Sequence, residues 1–252
     1  MTEPAFHRLL CWGVLGLSAA VFVLLMFIVA PYGRHRRRGW GLQVGGRTAW
    51  VVMECVSCLG FLLVFLVGDH RGAVMPLLLL ALWQLHYVYR AFVYPFRRHA
   101  SQAPMPLLVL VFGMTFNVVN AYINGRYVSH LGEWSTSWLT DPRFVVGVVL
   151  FVVGRQINLD ADARLRELRG RTDQRYSIPR GGLYRWISCP NYFGEIVEWI
   201  GWAVACWSLA GAAFAAFTFA NLAPRALAHH RWYRERFADY PKGRKALVPL
   251  LW

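Results

Sequence analysis

The sequence predicts an all-α, polytopic membrane fold of seven transmembrane helices, with the N-terminus outside and the C-terminus cytosolic. Three observations predict it. Of the 252 residues, 57% are hydrophobic and 15% aromatic, above the usage of soluble domains. Uncharged apolar runs recur at spanning length, from Leu9 to Tyr32, Leu107 to Gly125, Phe144 to Gly154 and Trp199 to Pro224; a bilayer core needs roughly 20 apolar residues in helical form. The charge then falls to one side. With spans at 9–31, 49–67, 74–95, 105–125, 143–160, 191–209 and 211–232, the inner side carries 21 of the 27 Lys and Arg. The outer side carries Arg8, Arg71, Arg126 and Arg143, and Arg90 and Arg155 lie inside spans. That bias fits an odd number of spans under the positive-inside rule.

The first span is too long for a secretory signal, and basic residues follow it rather than a small-residue cleavage site, so it is expected to be retained. The second carries Glu54 among apolar neighbours. A carboxyl at mid-bilayer costs on the order of 2.5–3.5 kcal/mol and marks either a helix–helix hydrogen bond or a functional group. The third carries His86, Tyr87, Arg90 and Tyr94, of which 87, 90 and 94 share a face that can meet Glu54. Arg90 sits near enough to the inner end to snorkel instead. Asn117, Asn120 and Asn124 share a face of the fourth span, where amides serve packing as readily as function.

From the fifth span onward the polar stripes lengthen. Asn158, Asp162, Arg166 and Arg169 form one stripe running out of the membrane, although Asp162 and Arg166 could be a plain helical ion pair. The sixth span opens with Asn191, Glu195 and Glu198, two carboxyls that need Arg, Tyr or a ligand amide. The seventh ends with Arg225, His229, Tyr233 and Arg236. These stripes all gather toward the cytosolic half. They suit a ligand with a carboxamide or ribose near the membrane and phosphates nearer the cytosol.

The net charge of +14 thus reports topology, with an anionic partner on the cytosolic side, and argues against nucleic acid. Cys11, Cys55, Cys58, Cys189 and Cys206 lie in or beside spans. Cys55 and Cys58 have no second pair or nearby His, so they read as buried thiols and no metal site is expected. Gly39, Gly41 and Gly45 miss the dinucleotide fingerprint in spacing and in context. No motif indicates an obligate protein partner, and the chain reads as one membrane domain over 1–252.

The run Asn191-Tyr192-Phe193-Gly194-Glu195-Ile196-Val197-Glu198-Trp199-Ile200-Gly201-Trp202 resembles the steroid 5α-reductases (3-oxo-5α-steroid 4-dehydrogenases). So do Tyr176-Ser177-Ile178-Pro179-x-Gly181-Gly182-Leu183, the set Arg225, His229, His230, Arg231 and Tyr233, and the tail Tyr240-Pro241-Lys242-x-Arg244-Lys245-Ala246-Leu247-Val248-Pro249. Upstream, Ala49-Trp50-Val51-Val52-x-Glu54 and His86-Tyr87-x-x-Arg90-x-Phe92-Val93-Tyr94 resemble the family's N-terminal half. The likeness covers roughly residues 45–252. Its C-terminal part alone is shared with enoyl-CoA reductases, which take a thioester. Met53 departs from the pattern, since Gln is expected before the glutamate, and this puts one polar contact to the substrate carbonyl in question.

The resemblance implies a seven-helix enzyme that uses NADPH to reduce the C4–C5 double bond of a 3-oxo-Δ4-steroid. Hydride goes to C5, negative charge develops on the C3 oxygen, and C4 is protonated. Glu54 and Tyr87 would be the catalytic pair, donating to the C3 oxygen in a dry site. An ionised carboxylate cannot donate, so Glu54 would have to be protonated or share a proton with Tyr87. The steroid would enter from lipid into helices of about 1–130, and the cofactor would occupy about 143–252. The implied cofactor set is Asn158, Asp162, Arg169, Tyr176, Asn191, Arg225, His229 and Tyr233, joined by Arg90, Tyr94, Asn120 and Glu195. Arg169 and Arg225 suit phosphates, and Arg171, Arg175 and Arg180 stay open for the 2′-phosphate. The membrane would be the inner membrane of a bacterium, toward which 25 Arg against two Lys point, or the endoplasmic reticulum of a eukaryote. A transporter whose polar stripes line a water path is the non-enzymatic alternative.

Overall fold

The computed structural model describes residues 1–31, 35, 37, 39–97, 103–171 and 176–252, the side chains of 169–171 excepted. Helix α1, Glu3–Phe27, starts six residues before the expected span because Pro4 fits the first turn, where its missing N–H costs nothing. Then come α2 at Gly46–Leu66, α3 at Val74–Arg97 and α4 at Leu107–Arg126, the last closed by a π-helical turn at Tyr127–Leu131. Helix α5 covers Pro142–Arg171, α6 Pro190–Cys206 and α7 Leu209–Arg236.

Among the described residues, five helices are long and apolar enough to cross a membrane, and they are α1 to α5. Their outward faces are apolar, with Leu59, Leu63, Val111, Val118 and Val149 all exposed. In water such a surface would drive association; against lipid it is at home, so the protein is an integral membrane protein. Helix α6 has 17 residues, which at 1.5 Å each falls a little short of a core about 30 Å thick. It ends at Trp207, which takes a left-handed conformation at φ 43°. Ser208 then caps α7, its hydroxyl accepting the Gly211 N–H at 3.0 Å.

Inside, an aromatic cluster joins the helices. Trp83 packs on Phe61, Tyr87, Trp199, Trp202 and Phe214 with ring centroids 4.5–5.5 Å apart. The closest seam is between α5 and α6. Gly147 and Gly154 on α5, and Gly194 and Gly201 on α6, sit seven residues apart and let the two backbones touch. A Cβ on Gly194 would lie 2.5 Å from the Asn158 backbone nitrogen.

Helix α3 is not a uniform α-helix. Residues Tyr89–Val93 form a π-helical turn, closed by the Tyr94 N–H donating to the Tyr89 carbonyl. Pro95 has no N–H to offer the carbonyl four residues back, and the wider turn absorbs that break. Short strands β1, Gln43–Val44, and β2, Met105–Pro106, pair antiparallel and tie the entry of α2 to that of α4. The C-terminal tail returns to the bundle through Ser188, whose hydroxyl meets His230 at 2.6 Å and Tyr240 at 2.7 Å.

Candidate active site

One cavity of about 790 Å³ runs between the helices. Its apolar end is walled by Leu24 and Leu25 of α1, Phe112 and Phe116 of α4, and Phe214 and Phe217 of α7. Its polar end is walled by α5, α6 and the second half of α7. The two ends meet at α2 and α3.

At that junction stand Glu54 and Tyr87, both buried and both in the cavity wall. Glu54 makes no hydrogen bond or ion pair with a described residue. Tyr87 is fixed by its ring, which packs on Trp83 at 4.9 Å and Trp199 at 5.6 Å. Arg90 enters from the π-helical turn, with its guanidinium 4.7 Å from the Trp50 ring and 4.6 Å from that of Tyr94. The Trp50 indole also donates to the Arg90 carbonyl at 3.2 Å, so the two aromatic plates and the backbone hold the cation together. Its far side faces carboxylates of two other helices, Asp162 at 3.9 Å and Glu195 at 4.0 Å. Arg90 is 8% exposed, which rules out snorkelling to the interface.

The α5–α6 glycine seam sets the next layer. Because the backbones touch there, the Asn158 amide reaches across to the Asn191 carbonyl at 2.9 Å and to Glu195 at 3.3 Å. Asn191 in turn donates to Asp162 at 3.4 Å. On the same helix as Asn191, Tyr192 links two residues of α7. Its hydroxyl lies 3.1 Å from His229 Nε2 and receives Arg225 Nη2 at 3.3 Å. His35, from the segment after α1, stacks on His229 with its Nε2 3.0 Å from Nδ1.

Of the expected site residues, Glu54, Tyr87, Arg90, Tyr94, Asn158, Asp162, Tyr176, Asn191, Glu195, Arg225, His229 and Tyr233 all line this one cavity. Asn120 does not. It is fully buried, and its side-chain oxygen accepts from Asn124, which in turn accepts the Trp202 indole N–H at 2.9 Å. The Arg169 and Arg171 side chains and Arg175 lie outside the described residues, and Arg180 pairs with Asp239 at an exposed site. Asp162 faces Arg90 and Asn191 rather than forming the plain helical pair with Arg166.

Sequence reasoning named His86, Arg155 and Glu198 without joining them. His86 Nδ1 lies 2.9 Å from Glu198 and Arg155 lies 3.5 Å from the same oxygen, all deep in the bundle. Three uncompensated polar residues in apolar spans were the available signal; which partner each finds depends on helix packing. Tyr192 and Asn221 were also missed, since a Tyr among aromatics and an Asn in an alanine-rich run look like packing. Arg166, in the polar wall, keeps one buried N–H group without a partner among the described residues, as does Arg90. Among those residues no group of His, Cys, Asp and Glu could hold a metal ion.

The arrangement therefore offers an apolar chamber edged by a phenol and by a carboxyl that pairs with no described residue, opening onto walls rich in arginine and amides. Residues 103–252 match the family model described as 3-oxo-5-alpha-steroid 4-dehydrogenase. Steroid 5-alpha-reductase DET2 of Arabidopsis thaliana is 43% identical, the alignment covering 100% of this chain and 99% of that protein. The 3-oxo-5-alpha-steroid 4-dehydrogenase 1 of Bos taurus is 42% identical over 93% of each chain. The human protein of the same name is 42% identical over 93% of this chain and 91% of its own. On that full-length likeness, the chain belongs to the 3-oxo-5-alpha-steroid 4-dehydrogenase family.

Proposed function

We propose that this chain reduces the C4–C5 double bond of 3-oxo-Δ4-steroids within the membrane, with NADPH as reductant. The observation that carries the reading is one continuous cavity joining an apolar chamber, with Glu54 and Tyr87 at its inner edge, to a polar half that holds Arg90, Arg166 and Arg225. Its volume falls within the range of ligand sites. Membership of a steroid dehydrogenase family implies a nicotinamide cofactor. The choice of NADPH rests on the arginines, whose forks suit phosphates; the buried N–H groups of Arg90 and Arg166 that meet no described residue are the kind of donors an anionic ligand satisfies.

When bound, the cofactor supplies the hydride that reaches C5. Asn158, Asp162, Asn191 and Glu195 would orient its nicotinamide and ribose end, and Tyr176, Arg225, His229 and Tyr233 its phosphates and adenosine. Tyr87 and a protonated Glu54 would donate to the steroid's C3 oxygen as it gains negative charge. The aromatic walls keep water from that oxygen, which strengthens both hydrogen bonds. C4 then takes one proton, drawn ultimately from solvent, which balances the hydride added at C5. The steroid would enter from lipid into the chamber formed by the first four helices and α7. All seven helices would span the bilayer, N-terminus outside, placing the basic tail and the cofactor's phosphates on the cytosolic side.

The test is NADPH consumption by detergent-purified protein with a 3-oxo-Δ4-steroid, beside Glu54→Gln and Tyr87→Phe. Turnover that collapses in both variants while NADPH still binds is the expected result. NADPH binding with no turnover of any enone steroid would overturn the substrate assignment and favour an acyl-CoA enone.

A further inference from the structure

The cavity wall holds a polar group to which this chemistry gives no task. Asn117, on α4, faces the turn of α2 that carries Glu54, and its Nδ2 donates to the Met53 carbonyl at 2.8 Å. No other hydrogen bond joins it to a described residue. The second N–H and the amide oxygen are left over, in a buried side chain that lines the cavity. Met53 itself packs its thioether over Gly113, one turn before Asn117; a Cβ on Gly113 would stand 2.5 Å from the sulfur. The position before the carboxyl is thus apolar. The amide that the family resemblance leads one to expect at 53 stands across the α2–α4 seam, at 117.

We propose that Asn117 contacts the substrate, supplying from α4 the amide donor to the enone carbonyl that position 53 does not supply. The proposal rests on Glu54 and Tyr87 holding that carbonyl. With one N–H spent on the Met53 backbone, the amide plane is fixed and the other N–H is preorganised as a donor. The backbone bond also ties the placement of the amide to the turn that presents Glu54.

The test compares Asn117→Leu, Met53→Gln and the double variant in steady-state kinetics with NADPH and a 3-oxo-Δ4-steroid. Leu keeps the branched shape and the side-chain heavy-atom count of Asn while removing its hydrogen bonds. Asn117→Leu is expected to lower the steroid kcat/KM about tenfold, the scale of one hydrogen bond, with the NADPH Kd unchanged. Gln has the length of Met, so adding Met53→Gln should restore most of that loss. An unchanged steroid kcat/KM in Asn117→Leu would overturn the proposal. So would a loss that Met53→Gln leaves untouched, because a packing defect on α4 gives no reason for rescue by an amide supplied from α2. Absence of steroid turnover in the unmodified protein would remove the proposed function and this inference together; turnover there beside a flat Asn117→Leu removes this inference alone.

Discussion

Adding one methyl group at Gly194 tests whether the α5–α6 seam positions the polar half of the cavity. In Gly194→Ala the new Cβ would lie 2.5 Å from the Asn158 backbone nitrogen and 2.6 Å from the Gly154 carbonyl oxygen. Both are backbone atoms in helix interiors and cannot rotate away. Restoring an ordinary 3.4 Å contact requires the helices to part by about 0.9 Å. The Asn158–Asn191 hydrogen bond, 2.9 Å in the native protein, would open to about 3.8 Å, beyond hydrogen-bonding range. Overpacking costs about 1–3 kcal/mol, and the better helix propensity of Ala returns up to about 1. A net loss of about 1 kcal/mol corresponds to a Tm lower by roughly 2–4 °C for a chain of this size. The assay is thermal unfolding in detergent with and without NADPH, together with the NADPH Kd, expected to weaken about tenfold through the lost amide contact. Gly16→Ala is the control, since a Cβ there meets nothing within 4 Å. A Gly194→Ala protein that melts with the unmodified one and binds NADPH equally well would refute the reasoning.

Arg90→Lys keeps the charge but loses the stacking on Trp50 and Tyr94 and the fork toward Asp162 and Glu195. It should retain the fold and weaken NADPH binding about tenfold by titration. Glu198→Leu strands His86 and Arg155 in the bundle and should destabilise by about 3 kcal/mol, whereas Glu198→Gln should melt closer to the unmodified protein. Tyr240 lies in the tail beyond α7, and burial pushes its hydroxyl above the ordinary tyrosine value, against smaller opposing effects of Ser188 and Arg244. The neutral form is therefore favoured in the folded state. Its contribution is complete below the unfolded tyrosine pKa of about 10 and is lost as pH rises past it. Melts between pH 9 and 11 should show this decline in the unmodified protein and less of it in Tyr240→Phe.

The positions of the apolar segments were legible because bilayer thickness fixes their length, and the described helices overlap each expected span. Their ends were not. The expected fifth span stops at 160, while α5 continues to Arg171. Hydropathy sees only the part inside lipid, and a helix has no reason to stop where its residues turn polar. That continuation matters, because it carries Asp162 and Arg166 into the cavity wall on one rigid element.

Where the helix stayed regular, the stripes kept most of their residues on one face, although Arg236 at the end of α7 is exposed and away from the cavity. Asn158 and Asp162 on α5, and Arg225, His229 and Tyr233 on α7, share the faces that a period of 3.6 assigns them, and all line the cavity. Where phase alone had to decide, the stripes held less well. Asn117, Asn120 and Asn124 have the same spacing, yet Asn117 faces the cavity while the other two close a chain on Trp202. Spacing gives a face; the neighbouring helix decides what each point of that face meets. On α3 the period itself changes, because the π-helical turn at Tyr89–Val93 adds a residue between Tyr87 and Tyr94. In an unbroken α-helix, Arg90 and Tyr94 would stack one turn apart on a fixed azimuth. The wider turn instead accompanies a guanidinium held between Tyr94 and Trp50 of α2. No periodicity rule read from the residues contains that shift, although Pro95 is the local signal for it. A cation placed where two aromatic rings and two carboxylates converge links both halves of the cavity, so the irregular turn is part of how the chain brings its apolar and polar ends together.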